Sequence, residues 1–157
     1  MSKRDFACCF TGHRIIANED MPILLEDLKM TIEMLILEYD VKYFCVGGAL
    51  GFDTMCAKAV LELKETYPHI QLILILPCKN QTEKWKEKDV KIYNDILSKC
   101  DNYIYVSEEY TKDCMLKRNR KMVDCTKYVI TYLRRNFGGS AYTKNYAQSQ
   151  GKTIISL

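Results

Sequence analysis

The 157 residues predict a single doubly wound α/β domain, a mostly parallel sheet flanked by helices. Three observations carry this. Short apolar runs alternate along the chain with amphipathic stretches of helical period. Several of those runs are apolar throughout, as strands covered on both faces require. Connections are short, and no linker, repeat or low-complexity stretch interrupts the pattern, so 1–157 reads as one domain large enough to bury a core.

FACCF, residues 6–10, is the first strand and ends at Thr11-Gly12. Over 22–39, Leu24, Leu25, Leu28, Ile32, Leu35 and Ile36 recur at three- and four-residue steps, which is a helix face. Asp20 stands where a cap would, and Pro22 falls in the first turn. Residues 43–46 form the second strand and 53–67 the second helix, stopped before Pro68. QLILILP, 71–77, is the third strand, closed by Pro77. A charged amphipathic helix over 82–99 carries Trp85, Val90, Ile92 and Ile96. NYIYV, 102–106, is the fourth strand, followed by a loop and a helix over 115–125. KYVITYL, 127–133, is the fifth. A helix over 140–150 ends at Gly151, and KTIISL is the sixth strand. Strands joined through helices imply right-handed crossovers between parallel neighbours.

Apolar residues make up 48% and charged ones 27%, which excludes a disordered chain and fits a soluble globular one. No apolar run approaches the roughly 20 residues of a membrane helix. The opening MSKRDFACCFTGHR has too short an apolar stretch for a secretory leader. A cytoplasmic location without a membrane partner is expected. Among eight cysteines there is no CxxC pair, and the histidines are only His13 and His69, so no metal site is expected. Cys8, Cys9, Cys45, Cys78 and Cys125, in or beside apolar segments, read as buried, reduced thiols. The net charge of +3 is uneven: over 112–144, Lys and Arg outnumber Asp and Glu nine to two. A solvated basic face and an anion site both fit that count.

In a doubly wound sheet, ligands sit beyond the carboxyl ends of the strands, where the crossovers reverse direction. Three segments fall at those ends: Thr11-Gly12-His13-Arg14, Gly47-Gly48-Ala49-Leu50-Gly51-Phe52-Asp53, and Gly138-Gly139-Ser140. A helix start presents unpaired N–H groups and about half a positive charge, which suits phosphate. Glycine admits the anion close to the backbone and allows positive φ, although a tight turn alone also calls for it. There is no G-K-[ST] after the loop and no G-x-G-x-x-G spacing, so neither familiar phosphate fingerprint is present.

Asp53 is expected to cap the second helix, worth about 1 kcal/mol; as a functional group it would accept from a ribose hydroxyl. In KRNRKMVDC, 117–125, Arg118 and Arg120 lie on different faces of a helix, one toward the cleft and the other toward solvent. Asn119 is placed to hydrogen-bond a base or a backbone turn. Guanidinium suits phosphate bidentately, and cations near a helix start oppose its dipole, a local disagreement that marks a site. His13 is either a phosphate donor and general acid or a loop histidine satisfied by backbone. No serine or cysteine pairs with it as a nucleophile. Tyr103 and Tyr105 read as core packing and Trp85 as a helix anchor. Arg134 and Arg135 are within reach of a second phosphate or a nucleic-acid strand.

TGHR, GGALGFD, RNRKMVD and GGSAYTKNYAQSQGK, in this order and spacing, together resemble the SLOG superfamily. That Rossmann-like group joins the DNA-processing protein DprA with the LOG-type cytokinin-activating enzymes. Within it the chain is most similar to the small bacterial YpsA-like proteins, and the resemblance covers essentially all of it. From DprA the resemblance implies loops that hold a phosphate-bearing ligand or the backbone of single-stranded DNA. From the LOG enzymes it implies cleavage of the N-glycosidic bond of nucleoside monophosphates, with an arginine in R-K-x-x-M and a glutamate after P-G-G-x-G-T. Arg118 with Met122 matches the arginine half; Gly138 to Lys144 holds no carboxylate, leaving Asp53 or Glu108 as substitutes.

The expected function is binding of a nucleotide or nucleotide-derived ligand, ADP-ribose among them, in sensing or regulation. The alternatives are a LOG-like N-glycosidase and a DprA-like single-stranded DNA binder. The ligand contacts are expected from Thr11, Gly12, His13, Arg14, Gly47, Gly48, Ala49, Gly51, Asp53, Arg118, Asn119, Gly138, Gly139 and Ser140. Arg118, Asp53 and His13 are the catalytic candidates, and a second copy of the chain is a further partner.

Overall fold

In the computed structural model, which describes residues 1–157, a short 3-10 turn (Lys3–Phe6) leads into β1 (Ala7–Gly12) and α1 (Met21–Tyr39). The chain continues through β2 (Tyr43–Val46), α2 (Phe52–Thr66), β3 (Gln71–Cys78), α3 (Glu87–Lys99) and β4 (Asn102–Ser107). It ends with α4 (Cys114–Asp124), β5 (Tyr128–Tyr132), α5 (Gly139–Ser149) and β6 (Thr153–Ser156). The six strands form one sheet, all parallel, in the order β4-β3-β2-β1-β5-β6. The chain therefore walks outward from β1 to β4, returns through α4, and resumes on the other side of β1. The switch point lies between β1 and β5, whose ends are in register at Gly12 and Tyr132.

Alternate residues of each strand face opposite layers. Phe10, Phe44, Leu72, Leu74 and Tyr132 face α1 and α2, where Leu28, Ile32 and Val60 meet them in a cluster of 24 buried residues. Cys9, Cys45, Ile75 and Val129 face α4 and α5, meeting Met122, Val123 and Ala147 in a cluster of only seven. The thinner packing on that side leaves room for a cavity. Leu28 and Ile32 are fully buried, and truncating either to alanine would cost about 2–5 kcal/mol. α1 turns its other side outward, leaving Ile23, Met30 and Leu37 exposed at seven-residue intervals.

Several expectations change. Asp20 occupies the cap position of α1, but its carboxylate makes no cap bond; it accepts from Tyr132 Oη at 3.0 Å and lies 3.5 Å from Arg134 Nε. Asp40, not a glycine, ends α1 in the left-handed region at φ 57°, which aspartate tolerates better than most residues. β3 runs through Pro77 to Cys78; pairing with β2 stops at Leu74, so a residue lacking N–H disturbs no ladder on that side. α3 begins five residues late, at Glu87, because 79–86 carry almost no apolar residue to bury. Trp85 stands in the preceding turn, edge-on to Tyr93 at 5.6 Å. β4 is an edge strand, so Tyr103 is 49% exposed and only Tyr105 reaches the core. Cys8, Cys9, Cys45 and Cys78 are buried, but Cys125 follows the end of α4 and is exposed. No helix is long and apolar enough to cross a membrane.

Candidate functional site

A cavity of about 460 Å³ opens at the carboxyl end of β1, beside β5 and under α4 and α5. β1 sends Thr11, Gly12, His13 and Arg14 into its wall; α2 contributes Asp53, α4 contributes Arg118 and Asn119, and α5 contributes Gly139 and Ser140. Ala49 comes from the β2–α2 loop. These ten are expected ligand contacts, gathered from five separate segments.

Arg118 and Arg120 part as their spacing requires. Arg120 is exposed and lies over the rings of Tyr142 and Tyr146 at 5.6 and 5.5 Å. Arg118 is 4% exposed. It donates to the carbonyl of Gly47 and, from Nε, to Asn119 Oδ1 at 2.7 Å. Asp53 is 7% exposed, and its Oδ2 accepts from the Ala49 N–H at 3.1 Å. It does not cap α2: that helix starts after Gly51 with no side-chain cap bond, and the carboxylate folds back onto the loop instead. Burial pushes the Asp53 carboxyl above its ordinary range, opposed by Arg118, the Ala49 N–H and Arg14. Asp53 Oδ1, Thr11 Oγ1 and Asn119 Nδ2 have no partner in the chain, and their residues line the cavity.

His13 is buried, and its Nε2 accepts from the Arg134 N–H at 2.7 Å. Its ring stands edge-on to Tyr132 at 5.6 Å. Burial, then Arg135 and Arg134, pull its pKa down, so the ring is neutral with its proton on Nδ1. Of the two readings of His13, the backbone-satisfied one describes this contact.

Four expected contacts stand outside the cavity wall. A Cβ on Gly47 would meet the Arg118 guanidinium and Asp53 Oδ2; on Gly48, with φ 77°, it would strike the Leu76 side chain. At Gly51, also φ 77°, it would overlap the backbone carbonyl of Arg14. Packing against the protein's own atoms is by itself enough to require glycine at these three positions. Gly138 is the N-cap of α5 at φ 96°, just behind the wall. Gly139 has open space where a side chain would be, and Ser140 Oγ donates to the Gly12 carbonyl at 2.8 Å, tying α5 to β1.

Arg134 and Arg135 also divide. Arg134 stacks on Tyr132 at 4.3 Å and pairs with Asp20, whereas Arg135 lines the cavity with no carboxylate partner, over the exposed ring of Phe137 at 5.2 Å. Arg14 is exposed and likewise has no carboxylate partner. Phe10, Ile15, Met115 and Met122 also line the cavity and were not among the expected contacts. The signal for the two methionines was present: 115, 118, 119 and 122 share one face of a helix. Glu108 pairs with Lys79 at 2.7 Å on the surface, away from the cavity.

An all-parallel α/β sheet with an arginine-lined cavity at its switch point defines a Rossmann-like protein whose cleft suits an anion. The chain belongs to the YspA SLOG family, which matches residues 10–154. It is 36% identical over 114 residues to a UPF0398 protein of Brevibacillus brevis, an alignment covering 70% of this chain and 58% of that one. It is 30% identical over 143 residues to the SPbeta prophage-derived protein YoqJ of Bacillus subtilis, covering 83% and 84%. The chain thus spans little more than half the length of its UPF0398 relative. Among solved structures, DprA from Helicobacter pylori, described for its single-stranded DNA binding mode, superposes with a TM-score of 0.72 at 18% identity, covering 98% of this chain and 65% of that one. DprA from Streptococcus pneumoniae gives 0.68, also at 18%, covering 98% and 50%. At that identity the likeness is one of fold.

Proposed function

We propose that this chain binds a nucleotide or nucleotide-derived phosphate ligand in the cavity between β1, α4 and α5, as a sensing or regulatory module. One observation carries the reading. Arg14 and Arg135, neither held by a carboxylate, flank a cavity that also contains the first residues of α5. Three arginines against Asp53 leave the wall net positive, and α5 adds the partial charge of its first amides. A volume of about 460 Å³ falls within the ordinary range for small-molecule sites. The phosphate belongs with Gly139, Ser140 and Arg135, where a cation and a helix start attract it, rather than on the Asp53 carboxylate, which repels it.

Equilibrium titration with AMP, ADP-ribose, NAD and ribose 5-phosphate tests this. Binding tighter than about 1 mM is expected for at least one, weakened about tenfold by Arg135→Ala. No binding at that level by a folded protein overturns the reading.

A second reading has its own observation. Arg134, Arg135 and Lys144 line a second groove that shares Arg135 with the cavity, and Phe137, next in the chain to its Asn136, is 68% exposed. Cations interleaved with an exposed aromatic ring suit single-stranded nucleic acid. Oligonucleotide affinity falling steeply with salt would support it, and a flat salt response would exclude it. A LOG-like N-glycosidase would have to rely on Asp53, since the first turn of α5 holds no acidic residue. Free base released from AMP, and lost in Arg118→Ala, is the result that would move the reading there.

A further inference from the structure

We infer that the bound ligand is a ribonucleoside phosphate, with Asp53 selecting its ribose over 2-deoxyribose by accepting a hydroxyl proton at Oδ1. This rests on the phosphate site proposed above and names what the rest of the cavity recognises.

Asp53 is almost wholly buried, yet only one of its oxygens is used: Oδ2 takes the Ala49 N–H. The nearby guanidinium of Arg118 spends its donors elsewhere, on the Gly47 carbonyl and on Asn119 Oδ1. Oδ1 is left without a donor from the chain, on a residue that lines the cavity. Because Oδ1 is reached from solvent, a ligand that covers it must bring a donor to replace the solvent it displaces, or lose affinity. Phosphate brings none at neutral pH and is repelled by the carboxylate. The group that meets Asp53 is therefore a neutral O–H or N–H.

Thr11 is a second, independent observation. It is 6% exposed, and its hydroxyl has no partner in the chain although it lines the same cavity. The Asn119 amide adds a free donor, since only its oxygen is engaged. An acceptor, a free amide donor and a hydroxyl that serves as either match the two hydroxyls of a ribose, each of which both donates and accepts. A nucleobase edge would want a flat apolar slot as well. Of the rings in the wall, Phe10 is fully buried and His13 is buried edge-on to Tyr132, so neither offers an open face. DNA lacks the 2′-hydroxyl, so Oδ1 would stay unpaired against it.

The experiment compares AMP with dAMP, and ribose 5-phosphate with 2-deoxyribose 5-phosphate, by calorimetry on the full chain. The second pair removes the base from the question. Each ribose form is expected to bind at least about tenfold tighter, the effect of one hydrogen bond to a charged acceptor. In Asp53→Asn that ratio falls below about threefold, because the charge-assisted bond is gone. Equal binding of ribose and deoxyribose forms to the wild-type chain overturns the inference while leaving the phosphate site standing. An unchanged ratio in a folded Asp53→Asn variant overturns it too. If neither ribose form binds, the phosphate site itself fails. Should Asp53→Asn not fold, the wild-type ratios alone decide.

Discussion

Replacing Arg118 by methionine keeps the apolar stem and removes the charge. In the native structure the guanidinium satisfies the Gly47 carbonyl and Asn119 Oδ1, and it faces the buried Asp53 carboxylate. Methionine leaves that carbonyl without its donor and that carboxylate without its largest compensating charge. Removing one member of a buried charged pair costs about 3–5 kcal/mol, a large share of the roughly 5–15 kcal/mol that holds a domain together. At about 2–4 °C per kcal/mol for a chain of this size, the midpoint should fall by about 10 °C.

The loss should also depend on pH. Asp53 has a folded-state pKa raised by burial, so its ionised form works against the fold. Without Arg118 the value rises further. The folded state then holds a proton that the unfolded state releases, and stability falls as pH rises. The deficit of Arg118→Met should thus be largest above neutrality and shrink as pH falls toward the ordinary carboxylate range. Urea unfolding of both proteins at about pH 7.5 and pH 5 measures this. A deficit below about 1 kcal/mol, or one equal at the two pH values, would mean that Arg118 is a solvated arm and not the counter-charge of Asp53.

Gly51→Ala should lose about 2 kcal/mol or more in thermal melts, from the positive φ and the Arg14 carbonyl that occupies its Cβ position. Gly139→Ala, with open space at that position, should melt within about 1 kcal/mol of wild type. Any loss of phosphate affinity in it then reports a ligand contact. His13 has a folded pKa below its unfolded one, so the stability it lends is complete above the unfolded value and disappears as pH falls through the folded one. Midpoints should drop between about pH 7 and 5, and His13→Asn should flatten the drop. A thiol reagent on native protein should label Cys125 first and Cys100 slowly. The six buried cysteines should react only after unfolding, among them Cys9, whose thiol burial pushes up to about 12.

The alternation of apolar runs and helical stretches was enough to place six strands and five helices in order, because period and turn chemistry are local properties. It also brought Thr11, His13, Arg14, Asp53, Arg118 and Ser140 to one rim, since a parallel sheet puts all its carboxyl ends on one side. That Arg118 and Arg120 turn to different sides followed from helical geometry alone; which of them turns inward did not. Tertiary structure decided what fills the space between those residues. Arg118 reaches a carbonyl 71 positions away, and Ser140 one 128 positions away. Such partners have no trace in a local pattern. That is why Gly47, Gly48 and Gly51 look like seats for a ligand in the sequence, whereas in the structure the space a side chain would need is taken by Arg118, Leu76 and Arg14. It is also why Asp53 reads as a helix cap from its position and yet turns back into the loop, with one oxygen left without a partner from the chain. Whether a glycine is vacant or a carboxylate unpaired depends on which distant side chain arrives there first, and only the packed chain brings those groups into contact.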